Sequence, residues 1–190
     1  MTKPFRFGVQ SYAAPTPDDW RDQARTAESL GFSTFSVADH VIGPGPALAA
    51  TNHPVQDVAA IPAMAVAAEA TDSIRIGARV FCVDYRQPVM FAKELATLDF
   101  FSGGRLEVGL GAGWLEGEYD AMGVPFDAAG VRIDRMEETI GLIKAHMGDG
   151  EQASDHGRHG HQPREVVVEV RQHLEHGMTH ATADGHQQRR

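Results

Sequence analysis

Four short apolar runs, each followed by a stretch of helical character, set the tightest limit on what this chain can fold into. The runs read as strands at 5–10 (FRFGVQ), 34–38 (TFSVA), 74–83 (IRIGARVFCV) and 105–110 (RLEVGL). The first helix opens at Pro17-Asp18-Asp19-Trp20 and stops at Gly31, with Thr or Asp as cap and proline in the first turn. Further helices are expected at about 57–70, at 88–101 before Ser102-Gly103-Gly104, and at about 129–147. Two Gly- and Pro-bearing loops, 39–54 and 111–130, interrupt the rhythm. Strands alternating with helices argue for a parallel sheet. The right-handed crossover rule then leaves an open doubly wound sheet or a closed barrel. A full (β/α)8 barrel takes about 250 residues, so the α/β chain is expected to form a partial (β/α)8 TIM barrel of about four βα units.

Length and charge exclude several function classes. The 190 residues carry 17 basic against 26 acidic side chains, a net charge of −9. Nucleic-acid binding needs a basic footprint, so that partner is not expected. A single cysteine, Cys82, rules out an internal disulfide and a cysteine-based zinc cluster, and fits a cytoplasmic setting. No 18-residue apolar run exists, so no membrane span is expected.

Residues 151–190 differ in kind from the rest. They hold seven of the ten histidines and no aromatic residue, and their apolar cluster is limited to Val166–Val168, Val170 and Leu174. Such a segment buries little, so disorder or one short helix is expected there, with the boundary at Gly148-Asp149-Gly150. His173, His176 and His180 would share one helix face. No carboxylate or frame accompanies them, so no specific metal site is assigned.

In either architecture the reactive end of the sheet is the carboxyl end of the strands. The residues there are Gln10-Ser11-Tyr12, Asp39-His40, Arg79 to Cys82 with Asp84-Tyr85-Arg86, and Gly111 to Trp114. His40 is the catalytic candidate, because an imidazole gains and loses a proton near neutral pH. A structural histidine on a loop carbonyl would occupy the same position. Asp39 would orient it or cap the turn; adjacent strand residues face opposite ways, so a direct pair needs a bend. Gly111-Ala112-Gly113 is either a tight turn or a place where a ligand ring approaches bare backbone. Trp114 would stack on that ligand or pack. Arg79 and Arg86 would hold an anion or face solvent. Lys93, Glu94 and Asp99 fall on the outer side of the third helix as surface charges.

Several segments resemble the bacterial luciferase-like monooxygenase superfamily, especially its coenzyme F420-dependent oxidoreductase branch. They are FRFGVQ at 5–10, AESLGFSTFSVADHV at 27–41, IRIGARVFCVDYRQPVMFAKELATLDFFSGGRLEVGLGAGW at 74–114 and GVPFDAAGVRIDRMEETI at 123–140. The resemblance spans 4–147 and implies a (β/α)8 barrel that binds a deazaflavin or flavin at the strand carboxyl ends. It implies that His40 acts in proton transfer beside the ring and that Arg79-Val80 forms a bulge backing it, often with a cis peptide. Ala112, Gly113 and Trp114 would line the same pocket, with Asp39 beside them. Trp114 stands where a sugar-phosphate dehydrogenase relative has a glutamate, which argues against sugar-phosphate oxidation. The implied reaction is hydride transfer between coenzyme F420 and a small organic substrate, with FMN-dependent monooxygenation as the alternative. Nothing from 151 onward looks like the family's fifth strand, and the segment reads as a shifted frame or unrelated ending. A non-catalytic fragment and an open-sheet domain with a metal-binding tail are the rival expectations. Two raw sheet edges make a homodimer one expected state.

Overall fold

The computed structural model describes residues 5–51 and 53–148. These described residues contain four strands: β1 (Gly8–Ser11), β2 (Thr34–Val37), β3 (Arg75–Cys82) and β4 (Leu106–Gly111). Six helices accompany them: α1 (Pro17–Ser29), α2 (Pro46–Ala49), α3 (Ala60–Glu69), α4 (Pro88–Phe101), α5 (Glu116–Met122) and α6 (Ala129–Met147). The strands are all parallel and pair in chain order, β1-β2-β3-β4. Readings that depend on Asp149 to Arg190, including the histidine-rich segment, lie outside the described residues.

The helices α1, α3, α4 and α6 gather on one side of the sheet. Phe35 and Val37 of β2, Ile76, Ala78 and Phe81 of β3, and Val108 and Leu110 of β4 share one core. Trp20 and Ala24 of α1, Met64 of α3, Phe91 and Leu95 of α4, and Met136 and Ile143 of α6 pack onto them. The opposite face carries Gly8, Thr34, Ser36, Gly77, Glu107 and Gly109, which are small or polar. Helices on a single face, each beside the next, make a segment of barrel wall and not an open sheet covered on both sides.

Local chemistry explains the boundaries. Thr16 caps α1, its hydroxyl accepting the Asp19 N–H at 3.1 Å, with Pro17 in the first turn. Gly31 follows at φ +80°, the left-handed position that ends the helix. The first strand is displaced from its expected 5–10 to Gly8–Ser11. It is an edge, and its ladder with β2 begins only at Gly8 opposite Thr34; Phe5 and Phe7 remain exposed. The two interrupting loops each contain a short helix, α2 and α5. Asp99, expected on the outer surface of α4, is buried.

Between Ala78 and Phe81 the β3–β4 register slips by one residue. The slip is a bulge, and it keeps Ile76, Ala78 and Phe81 all on the helix side while Arg79 faces the other way. The Arg79–Val80 peptide within it is cis. Among the described residues no helix is long and apolar enough to cross a membrane.

Glu28 ties α1 to the strand that follows α3. Its carboxylate accepts the N–H groups of Asp72 (3.1 Å), Ser73 (2.6 Å) and Ile74 (2.9 Å) and the Ser73 hydroxyl (2.8 Å). Partial burial opposes the charged form, but these four bonds outweigh it and pull the carboxyl from its ordinary 4.5 to about 2. A lowered folded value means stability present above pH 4.5 and lost as the pH falls toward 2. Acid titration of unfolding free energy should therefore show a loss in that window for wild type that is absent in Glu28→Gln.

Candidate active site

The carboxyl ends of β2, β3 and β4 bring together most of the residues singled out from sequence, by contacts that the sequence did not display. Beyond Val37 the chain bends. The Ala38 N–H donates to Gln56 Oε1 at 3.2 Å, and Gln56 Nε2 donates to the Val58 carbonyl at 3.0 Å, which fixes the approach to α3 against the end of β2. Asp39 and His40 then turn to opposite sides, as strand alternation demands.

Asp39 turns to the helix side. Its carboxylate takes both ends of the Arg86 guanidinium, at 2.5 and 2.6 Å, and the Cys82 N–H at 3.1 Å. The side chains are 3% and 20% exposed. The guanidinium also lies 5.2 Å from the Phe81 ring centroid and 5.3 Å from that of Phe91. Burial alone would lower the Arg86 pKa; the Asp39 bonds reverse this and raise it. Two sequence expectations are corrected here. Asp39 bonds to Arg86 and the Cys82 N–H instead of orienting His40, and Arg86 is not a solvated arginine.

His40 turns the other way, and its partner is Glu118 of α5. Nδ1 lies 3.0 Å from Glu118 Oε2, with the two side chains 9% and 1% exposed. The same oxygen accepts the Tyr85 hydroxyl at 2.5 Å, while Oε1 accepts the Val41 N–H at 2.7 Å and the Ile42 N–H at 3.4 Å. Burial works to raise the Glu118 carboxyl, but the bonds from His40, Tyr85 and Val41 outweigh it and hold it below its ordinary value. The Tyr85 hydroxyl is pushed up, by burial first and then by its charged surroundings, so it remains a donor.

Aromatic rings surround His40. The His53 ring stands 4.2 Å from it and the Trp114 ring 5.8 Å, the latter edge-on. Tyr12, at the end of β1, meets His53 at 5.6 Å. His53 Nδ1 donates to the Pro54 carbonyl at 2.8 Å. Trp114 is 41% exposed, so one part of its ring packs on His40 and another stays open.

On the neighbouring strands, β4 supplies a floor of glycine beneath Val80. A Cβ on Gly111 would lie 2.6 Å from Val80 Cγ2, and one on Gly109 would lie 2.5 Å from the Ala78 carbonyl oxygen. Val80 thus sits down onto bare backbone, giving an apolar surface of low relief, and Arg79 extends from the bulge onto the exposed inner face. Gly113 has a different cause from the one expected. At φ +76°, its Cβ would fall 1.8 Å from the Tyr119 hydroxyl, so the glycine makes room for Tyr119. Tyr119 donates to Asp84 Oδ2 at 2.8 Å, and the Ala112 carbonyl accepts from Arg132 Nε at 3.2 Å.

Sequence reading missed Glu118, His53 and the role of Tyr119. The available signal was the spacing of Leu115, Glu118 and Tyr119, three and four apart, ahead of Gly123. That spacing describes a short helix with a carboxylate on its buried face. Among the described residues no group of three or more His, Cys, Asp or Glu could hold a metal ion.

Comparison with known proteins agrees with this geometry. The profile of the luciferase-like monooxygenase family matches residues 1–185, further than the motifs at 4–147 reach. An uncharacterized protein of Mycobacterium tuberculosis is 37% identical over 134 residues, covering 64% of this chain and 46% of its own length. The FMNH(2)-dependent dimethylsulfone monooxygenase of Pseudomonas putida is 37% identical over 75 residues, 40% of this chain and 20% of its own. Among solved structures, coenzyme F420-dependent tetrahydromethanopterin reductase from Methanopyrus kandleri aligns at TM-score 0.50 and 28% identity, over 64% of this chain and 30% of that one. An F420-dependent secondary alcohol dehydrogenase aligns at TM-score 0.63 and 23% identity, over 87% of this chain and 51% of that one. The chain therefore spans about half the length of these relatives or less. Four parallel strands, helices on a single face and a match along nearly the whole sequence lead to one conclusion: the chain belongs to the luciferase-like monooxygenase family, whose members include F420-dependent and FMN-dependent enzymes.

Proposed function

We propose that the chain contributes the first four βα units of a coenzyme F420-dependent oxidoreductase acting on a small organic substrate, with His40 as its proton-transferring residue. The observation that carries this is the location of His40. Its imidazole stands at the end of β2, paired with a carboxylate and ringed by aromatic side chains. The neighbouring strands offer Val80 on a glycine floor, an apolar surface on which a flat ring can rest. The residues present thus fit a deazaflavin or a flavin ring. When bound, F420 would carry the hydride, accepting it in the oxidised form or giving it in the reduced form, and the redox chemistry belongs to the cofactor. His40 exchanges the proton that accompanies the hydride, a role in which a positioned imidazole contributes about 10²–10⁴-fold. Val80, Ala112 and Trp114 shape the ring's surroundings, and Arg79 is placed to meet its polar edge or an anionic arm. The Asp39–Arg86 pair holds the backbone that delivers His40.

FMN is the second reading, supported by the FMNH(2)-dependent relative at 37% identity. Fluorescence titration of the 190-residue chain with F420 and FMN in parallel separates the two. Saturable F420 binding with a Kd of about 10–100 µM, worth about 5.5–7 kcal/mol, is expected, with weaker FMN binding. Tighter FMN binding would move the reading to a flavin monooxygenase. Binding of neither cofactor at about 100 µM would overturn it in favour of a non-catalytic fragment.

A further inference from the structure

We propose that Glu118 is the positioning residue of this site: it fixes the proton of neutral His40 on Nδ1 and so presents Nε2 as the proton acceptor. What Nε2 acts on rests on the function proposed above; the assignment of the proton does not.

A fully buried carboxylate is costly unless its oxygens are satisfied. Glu118 is fully buried, and every partner that satisfies it belongs to His40 or to the scaffold around it. Oε1 accepts the N–H groups of Val41 and Ile42, the two residues that follow His40. Oε2 faces His40 Nδ1 at 3.0 Å and the Tyr85 hydroxyl at 2.5 Å. One side chain of α5 thereby grips both the imidazole and the backbone that carries it, across 78 residues of sequence.

The chemistry of these partners leaves one arrangement. A backbone N–H can only donate, so Oε1 must accept. The Tyr85 hydroxyl is held in its protonated form and donates to Oε2. Ionised Glu118 has no proton to give, so the His40 nitrogen facing it must carry one. In the neutral ring the lone pair then lies on Nε2. The His53 and Trp114 rings hold the plane of the imidazole but do not distinguish its nitrogens. Among the described residues the carboxylate alone makes that choice.

Glu118→Gln turns this into a sharp test. The glutamine oxygen must stay with the Val41 and Ile42 N–H groups, because its amide nitrogen there would set donor against donor. The amide NH2 then faces His40 Nδ1, which must accept, and the ring proton moves to Nε2. Long-range 1H–15N correlation spectra of the histidine-labelled full chain read the tautomer directly, with His40 assigned by its disappearance in His40→Gln. The expected result is Nδ1–H in wild type, Nε2–H in Glu118→Gln, and an unchanged Nδ1–H in Tyr85→Phe. Wild-type His40 protonated on Nε2 would overturn the proposal, and so would a folded Glu118→Gln that keeps Nδ1–H. If Glu118→Gln fails to fold, the wild-type and Tyr85→Phe spectra still decide. The spectra need no cofactor, so the two ideas fail separately. A tautomer switch in a chain that binds neither F420 nor FMN leaves Glu118 as the residue that positions His40 and removes the redox reading. Cofactor binding without the switch does the reverse.

Discussion

Asp39→Ala should lower the unfolding free energy by about 3–5 kcal/mol, the range found when one partner of a buried ion pair is removed. The cause is what remains. Arg86 keeps its charge at every accessible pH, and its guanidinium lies between Phe81 and Phe91 with 20% of the side chain exposed. Without Asp39 it loses both carboxylate bonds, and the Cys82 N–H loses its acceptor. The change is a large share of the total for a domain stable by about 5–15 kcal/mol. It should appear as a drop of about 6–20 °C in Tm. A double-mutant cycle with Arg86→Met identifies the origin. If the unpaired charge is responsible, the double variant is more stable than the sum of the single losses predicts. An Asp39→Ala loss of under about 1 kcal/mol would show that the pair behaves as a surface ion pair. Because Asp39 immediately precedes His40, the same substitution should also loosen the loop that delivers the imidazole.

That pair marks the limit of what the sequence discloses. Parallel strands, helices and their order are written in local apolar periodicity, and the helix expected at 88–101 is found as Pro88–Phe101. The first strand shifts because an edge strand is defined by its partner, and no local pattern encodes where pairing with β2 begins. His40 is legible because its position follows from the end of a strand. Its partner is not, because Glu118 reaches it from 78 residues away through a seven-residue helix inside a segment that reads as loop. Asp39 is the obvious neighbour in sequence and the wrong one in space, since alternation sends it to Arg86 on the helix side. Asp99 misleads in a related way: a charge on a helix reads as surface, and here it is buried. Charged residues are read from sequence by their solvent preference, and long-range pairing overrides that preference.

Gly113→Ala should be about as damaging as the loss of Asp39, for a reason wholly internal to the chain. The residue sits at φ +76°, where any side chain costs about 1–2 kcal/mol. Its new Cβ would also fall 1.8 Å from the Tyr119 hydroxyl and within 2.9 Å of two ring carbons. Tyr119 has little freedom to yield: it is fully buried, its hydroxyl donates to Asp84 at 2.8 Å, and its ring packs edge-on against Phe126 at 4.9 Å and Tyr85 at 5.7 Å. Overpacking of this kind adds about 1–3 kcal/mol. Pulling the hydroxyl away from Asp84 adds about 1–3 kcal/mol more. The expected total is about 3–8 kcal/mol. Gly123 provides the control, with nearly the same backbone angle, φ +68°, and nothing within 4 Å of an added Cβ. Gly123→Ala should lose only the conformational part, about 1–2 kcal/mol. The difference between the two unfolding free energies isolates the collision with Tyr119. Adding Tyr119→Phe to Gly113→Ala removes the nearest atom but leaves the ring carbons, so it should recover part of the loss and not all of it. Equal costs for Gly113→Ala and Gly123→Ala would mean that Tyr119 moves aside freely, and the glycine would then need another cause, such as a ligand brought close to its backbone.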